Sequence, residues 1–380
     1  MMEPMNPSTH APIHPPATAA AARQVLLPAL IEGEPPPWGQ PCHRLAGASM
    51  GTHWSALFHA PPSVPLARVR QALQAELDRV DTEMSTWRPD SALMRFNRAP
   101  AGSRHVLPLA FAQVLDAALR VARASGGAFD PCAGALVGHW GFGPGADGRT
   151  PAYQATGFQP PLQAETADAL HPPPARGQAA WDALAWSADT AQITQPGGIC
   201  LDLCAIAKGH AVDRLSRCLA ALGCTHHLVD VGGELSGQGL RPSGLPWWVD
   251  LEPPEPGLDP RHLPWAATRL ALHGLAVATS GDYRRHYTDA RGRRCSHTLD
   301  PRRGEPIRHG VASVSVLHPQ ALWADGWSTA LLVLGPEAGL ALARCQGLAA
   351  RWLQRPATPG AGWRCVESPA WQALRDSADR

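Results

Sequence analysis

Two periodicities alternate along the chain. Apolar residues recur every three or four positions at Val69, Leu73, Leu77, Val80 and Met84, which predicts a helix from Pro65 to Met84. The same spacing at Phe111, Val114, Leu115, Ala118, Leu119 and Ala122 predicts a helix from Leu109 to Ser125, stopped by Gly126-Gly127. Two more are expected at Pro319 to Leu334 and Pro336 to Cys345. A period of two follows Met50-Gly51-Thr52, at Trp54, Ala56 and Phe58, and returns from Val311 to Leu317, so both regions read as strands. Further strands are expected at His227 to Val231, Pro246 to Leu251, Thr268 to Leu272, Ala276 to Tyr287 and Arg293 to Leu299, with a small pair between Trp181 and Thr194. The apolar run Ile199 to Cys204 reads as a strand leading into a helix marked by Ile206, Val212, Leu215 and Leu219. Strands and helices mix without a βαβ rhythm, which predicts an α+β fold with a largely antiparallel sheet and flanking helices.

Composition sets the boundaries. Residues 1–41 are rich in Pro, Ala and His and read as a disordered leader; 42–350 form the domain, 143–178 a Pro/Gly-rich insertion, and 351–380 a C-terminal extension. No run of about 18 apolar residues is present, so no membrane-spanning helix is expected. Val25 to Ile31 is short, contains Pro28 and lacks a basic n-region, so a cytoplasmic location is expected. A net charge of +1 gives no reason to expect a nucleic-acid surface. Nine cysteines, at spacings that fit no zinc pattern, read as buried free thiols.

Charge composition changes the picture at one residue. Of 33 basic residues, Lys208 is the single lysine. A site that retains Lys in an Arg-biased chain suggests a need for a compact ammonium, and the start of a helix is a natural anion site. A solvated lysine on a helix face explains the same observation. Asp325, Ser328 and Thr329 share one face of a predicted helix and offer oxygen ligands to a hard cation; helix capping is the more ordinary explanation of those three. His297, at the end of a strand, has the chemistry of a general base, but it is one of 17 histidines. Gly232-Gly233-Glu234 and Gly126-Gly127 can each cradle a phosphate or form plain turns. Neither a Walker loop nor a G-x-G-x-x-G fingerprint is present.

Taken in order, nine stretches resemble the ApbE family of FAD:protein FMN transferases. They are Met50-Gly-Thr52, Met84 to Asn97, Gly127-Ala-Phe-Asp-Pro131, Trp140-Gly-Phe-Gly143, Asp202 to Asp213, Val229 to Glu234, Ser280-Gly-Asp-Tyr283, His297 to Gly304 and Ala324 to Thr329. The resemblance implies a T-fold-like architecture and Mg²⁺-dependent transfer of FMN from FAD to a Thr or Ser hydroxyl of an acceptor flavoprotein, with release of AMP. It implies that flavin and diphosphate lie against Met50, Trp87, Asp130, Pro131, Cys132, Asp202, Lys208 and Thr298. It also implies that Mg²⁺ is held by the Ala205 carbonyl with Asp325 and Thr329, Ser328 adjacent, and that His297 deprotonates the incoming hydroxyl. Trp87 and Cys132 stand where many members have Tyr and Thr, and Ser328 where some have Asp. Some members lack Lys at position 208. The same residues would serve an FAD pyrophosphatase; a non-catalytic FAD-binding protein would need no base. Many relatives work outside the cytoplasm on a lipid anchor, and no N-terminal Cys here marks such a site.

Overall fold

The computed structural model describes residues 24–161, 180–255, 258, 267–283, 285–358 and 362–376. In chain order its strands are β1 (Gln24–Leu26), β2 (His43–Ser49), β3 (Thr52–His59), β4 (Arg104–Val106), β5 (Ala185–Ser187), β6 (Gln192–Thr194), β7 (His226–Val231), β8 (Glu234–Gln238), β9 (Trp247–Asp250), β10 (Thr268–Leu272), β11 (Leu275–Gly281), β12 (His286–Thr288), β13 (Arg294–Ser296), β14 (Leu299–Asp300), β15 (Glu305–Pro306), β16 (Val311–His318), β17 (Ala349–Gln354) and β18 (Arg364–Glu367). The α-helices are α1 (Leu66–Met84), α2 (Ala92–Asn97), α3 (Leu109–Ala124), α4 (Gly134–His139), α5 (Ala207–Ala221), α6 (Ala321–Gln346) and α7 (Pro369–Asp376).

Eight strands in the order β18-β17-β16-β11-β8-β7-β3-β2 form one sheet in which every neighbouring pair is antiparallel. The period-two pattern sorts side chains to its faces. Trp54, Ala56, Phe58, Val229, Val231, Ala276, Ala278, Val314 and Val316 join the main core beneath α1, α3, α5 and α6. Their alternates Leu57, Leu228, Leu235, Val277 and Leu317 face a second core that includes Leu26, Trp247, Leu270 and Trp371. The result is a helical layer, a central sheet, and a thin layer made of β1-β10-β9 with α7.

The α+β expectation holds, and the differences lie at boundaries. The leader contributes structure from Gln24 onward: β1 pairs in parallel with β10, and Leu26 is buried, because an apolar residue there completes the second core. Residues 1–23 lie outside the described residues. The C-terminal extension is part of the sheet, since β17 spans the expected boundary and β18 pairs with it. Trp371 of α7 is fully buried. Of the insertion, residues 162–178 are not described; the preceding part packs Tyr153 and Phe158 against Tyr287. Ile199 to Cys204 is not a strand: it forms only an isolated bridge, Ala133↔Cys200, because Asn97 clasps its backbone from outside any sheet, donating to Leu201 O (2.9 Å) and accepting from Leu201 N (2.8 Å). Strand β11 ends at Gly281 instead of running on to Tyr287. The two expected C-terminal helices meet at Gly335, whose φ of 74° breaks the helical path before Pro336. α6 is long and apolar enough to cross a membrane by length and composition, a feature the residue pattern did not reveal. It packs against β11 and β16, and 56% of its most apolar stretch is buried.

Candidate active site

Two hairpin turns mark one end of the large sheet. Met50-Gly51 joins β2 to β3, and Gly232-Gly233 joins β7 to β8; all four residues have positive φ, as two-residue hairpins of the primed type require. Met50 is the costly member, since a non-glycine residue in the left-handed region carries about 1 kcal/mol of strain, and such strain gathers at functional sites. The turns touch: Gly232 N donates to His53 O (2.9 Å), and a Cβ on Gly232 would lie 3.0 Å from the Thr52 side chain. Antiparallel pairing brings the end of β11 and the start of β16 to the same end of the sheet.

Helices α5 and α6 cross beside this end, each capped by a carboxylate of the other. Asp213 of α5 accepts from Ala321 N (2.8 Å) and Leu322 N (3.0 Å) at the start of α6. Asp325 of α6 accepts from Gly209 N (2.9 Å) through Oδ2 in the first turn of α5. The crossing depends on Gly209, where a Cβ would lie 2.2 Å from Ala321 O. Asp325 therefore does cap a helix, but a neighbouring one, and its Oδ1 makes no hydrogen bond within the described residues. Burial raises its pKa against the lowering influence of Lys208 and the Gly209 N–H.

Lys208 lies one residue inside α5 and pairs with Glu234, the first residue of β8. Burial acts to lower the ammonium's pKa, but Glu234 and Asp325 outweigh it and the net shift is upward. Burial lifts Glu234 to about 7, with Lys208 pulling it down and Asp325 adding to the rise. Sequence reasoning gave Glu234 no role beyond its glycine turn. The signal was present: a charged residue opening a central strand is buried from its first position.

Thr329 is half-buried, and its hydroxyl meets Ser280 Oγ at 2.9 Å. Ser328 is fully buried, donates to Asp325 O (2.9 Å) and meets Ser280 Oγ (2.8 Å), so packing fixes its hydroxyl beside that of Thr329. The candidate donors are oxygens: the Asp325 carboxylate, the Thr329 and Ser328 hydroxyls and the Ala205 carbonyl in the loop before α5. No group of three His, Cys, Asp or Glu side chains converges into a metal cage among the described residues. One carboxylate with neutral oxygens fits Mg²⁺ bound jointly with substrate phosphates, the usual arrangement for that ion.

Asp130 and Asp202 sit in two loops that run side by side. Asp130 Oδ1 accepts from Cys132 N (2.8 Å), and Asp202 Oδ1 accepts from Cys204 N (2.7 Å). Asp202 N donates to Pro131 O (2.8 Å) and Gly134 N to Cys200 O (3.0 Å). Burial raises Asp130 to about 6 and also raises Asp202. Cys132 is a buried thiol whose pKa burial pushes up, which disfavours the thiolate. Trp87, half-buried, is held by the turn in which Trp87 N donates to Ser85 Oγ (3.2 Å); the adjacent Thr86 hydroxyl lies 3.6 Å from Cys204 Sγ and ties that turn to the loop before α5. Thr298 is buried and its carbonyl accepts from Ile307 N (3.1 Å), which leaves its side chain as its contribution.

His297 follows β13 and is half-buried. Its backbone N and its Nδ1 both meet Arg285 O, at 3.1 and 3.0 Å. A carbonyl only accepts, so Nδ1 carries the proton and Nε2 holds the lone pair. The Phe142 ring meets the imidazole edge-on at 6.2 Å, and Trp140 Nε1 donates to Gly304 O (2.9 Å), which fixes this wall. Burial lowers the pKa of His297 to about 4; the charges of Arg285 and Lys208 add to the lowering, while the Arg285 carbonyl and Asp282 oppose it.

The ApbE family model matches residues 50–352. A protein of Escherichia coli K12 described as an FAD:protein FMN transferase is 34% identical over 306 residues, 80% of this chain and 82% of its own. One of Klebsiella pneumoniae with the same description is 34% identical over 331 residues, 87% and 88% of the two chains. The apo crystal structure of the Pseudomonas stutzeri flavinyl transferase ApbE superposes with a TM-score of 0.73 at 33% identity, covering 88% of this chain and 96% of that one. The chain belongs to the ApbE family of flavin transferases.

Proposed function

We propose that this chain transfers FMN from FAD to a Ser or Thr hydroxyl of an acceptor protein, with Mg²⁺, forming a phosphoester-linked flavin and releasing AMP. The observation that carries the reading is the hydrogen bond of His297 Nδ1 to Arg285 O, which puts the proton on Nδ1 and leaves Nε2 able to take one, within the field of Lys208. A neutral hydroxyl is a poor nucleophile and needs such a base within reach. Nε2 accepts the hydroxyl proton, the oxygen bonds to the FMN phosphorus, and the bond from that phosphorus to the AMP oxygen breaks.

Asp325, Thr329 and the Ala205 carbonyl would hold Mg²⁺, which would supply Lewis-acid neutralisation of the diphosphate. Lys208 adds a positive charge at the same place, where charge builds on the leaving AMP. A bound diphosphate, with roughly two negative charges, also offsets the Lys208 and Arg285 fields that lower His297, and so strengthens the base when substrate is present. Trp87 offers a ring face on which flavin or adenine can stack.

The test is incubation with FAD, Mg²⁺ and a flavoprotein domain that carries a Ser/Thr acceptor site. A fluorescent covalent band with a mass gain of one FMN, and AMP in equal amount, is the expected result. Free FMN accumulating with no band would make the chain a pyrophosphatase, with water in place of the protein hydroxyl.

A further inference from the structure

Glu234 takes no part in the reaction drawn above, yet it occupies an expensive position. Its side chain is 3% exposed, against 30% for its partner Lys208. Oε1 receives the ammonium, while Oε2 is buried with no hydrogen-bond partner. Leaving a buried polar atom unpaired is unfavourable, and more so for a charged group. A pair whose only task was to join α5 to β8 would gain by satisfying both carboxylate oxygens, or by apolar replacement. The asymmetry has a different use. The carboxylate is locked by the Gly232-Gly233 turn, whose φ values of 66° and 101° only glycine adopts readily, and by the start of β8. The ammonium stands at the surface end, with three N–H donors of which Glu234 takes one.

We propose that Glu234 is a positioning residue for Lys208: the buried carboxylate anchors the ammonium so that its remaining donors face a phosphate-bearing ligand. That this ligand is the FAD diphosphate rests on the flavin-transfer reading. The anchor also keeps Lys208 off Asp325, the other carboxylate whose charge it feels. Without Glu234 the ammonium falls onto Asp325 and competes there with the divalent cation.

The chain's own composition supplies the probe. Lys208 is the single lysine, so protein grown with ¹⁵N-lysine gives one side-chain ammonium resonance. In the full-length protein that resonance is expected to be protected from exchange and to move on addition of FAD but not of riboflavin, which lacks phosphate. Glu234→Gln is expected to abolish the protection, slow AMP release about tenfold with the FAD dissociation constant nearly unchanged, and raise the Mg²⁺ concentration needed for half-maximal rate. Glu234→Asp is expected to recover part of each effect, and serves as the test variant if the Gln variant melts early. Glu234→Gln with Lys208→Met should be no slower than Lys208→Met alone, since Glu234 acts through the lysine. An unchanged resonance in Glu234→Gln, a resonance that ignores FAD, or a double variant slower by the full extra factor would each overturn the assignment. A wild-type protein whose resonance moves with FAD while neither AMP nor a modified acceptor forms would sink the flavin-transfer reading and leave the anchoring role of Glu234 standing.

Discussion

Asp213 and Asp325 do the same structural job in opposite directions, and only one of them does it completely. Asp213 uses both carboxylate oxygens on the first N–H groups of α6, whereas Asp325 uses one oxygen on Gly209 N and keeps the other free. Two histidines repeat the contrast. His227 is buried with Nδ1 on Cys224 O (2.7 Å) and Nε2 on Ser216 Oγ (2.8 Å); His297 has Nδ1 on Arg285 O and, among the described residues, no partner on Nε2. A polar group whose atoms are all paired holds the fold together. A group pinned by one atom is oriented by the fold and still has an atom with which to bind or react. Within these two pairs residue type does not separate the two classes; the count of satisfied atoms does.

The contrast can be broken at several points. The largest effect is expected from Asp325→Asn. The amide oxygen can still accept from Gly209 N, so the melting temperature should stay close to wild type while AMP release slows by roughly 100-fold or more. A loss of stability in step with the loss of rate would show that Asp325 is a cap and nothing else. Gly209→Ala comes next: the added methyl meets Ala321 O, the two caps are forced apart, and urea unfolding should show a loss of about 1–3 kcal/mol. Asp213→Asn leaves one of two N–H groups without its carboxylate oxygen, so a loss of about 1 kcal/mol is expected, with the transfer rate of the folded fraction nearly unchanged. The last effect is in pH dependence and leaves the neutral-pH protein unchanged. Burial lowers the pKa of His227 to about 4, with the Cys224 carbonyl opposing. An unfolded chain takes up that proton near 6.5 and the folded protein only near 4, so stability is lost as pH falls through that window. His227→Gln should flatten that part of a stability–pH curve and leave transfer intact. A curve that keeps its slope would place the acid sensitivity elsewhere.

The residue pattern carried most of the fold because the sheet is half-buried on each face: Trp54, Ala56 and Phe58 alternate with residues of the opposite layer, and that alternation is visible in one dimension. The second core was harder to read. Leu26 and Trp371 close it from the two ends of the described chain, and each stands in a stretch too short and Pro- or Gly-broken to show a period. At the site, His297, Asp325 and Lys208 could be read from residue type and ordered motifs. Their state could not. That Nδ1 is held by a carbonyl twelve residues away, that Asp325 caps a helix 116 residues earlier in the chain, and that Lys208 rests on Glu234 are all consequences of long-range packing. Ser328 makes the same point: its place on the same helical face as Asp325 was legible, but its bonds to the Ser280 hydroxyl and the Asp325 carbonyl were not.

The measurement that bears most directly on the site is the mass of the acceptor protein after incubation with FAD, Mg²⁺ and the His297→Ala variant, with FAD binding followed in parallel by flavin fluorescence. If the free Nε2 of His297 is the base, the variant binds FAD with near wild-type affinity and the acceptor gains no FMN. An acceptor that gains one FMN at the wild-type rate would remove His297 from the chemistry and contradict the mechanism proposed for this chain.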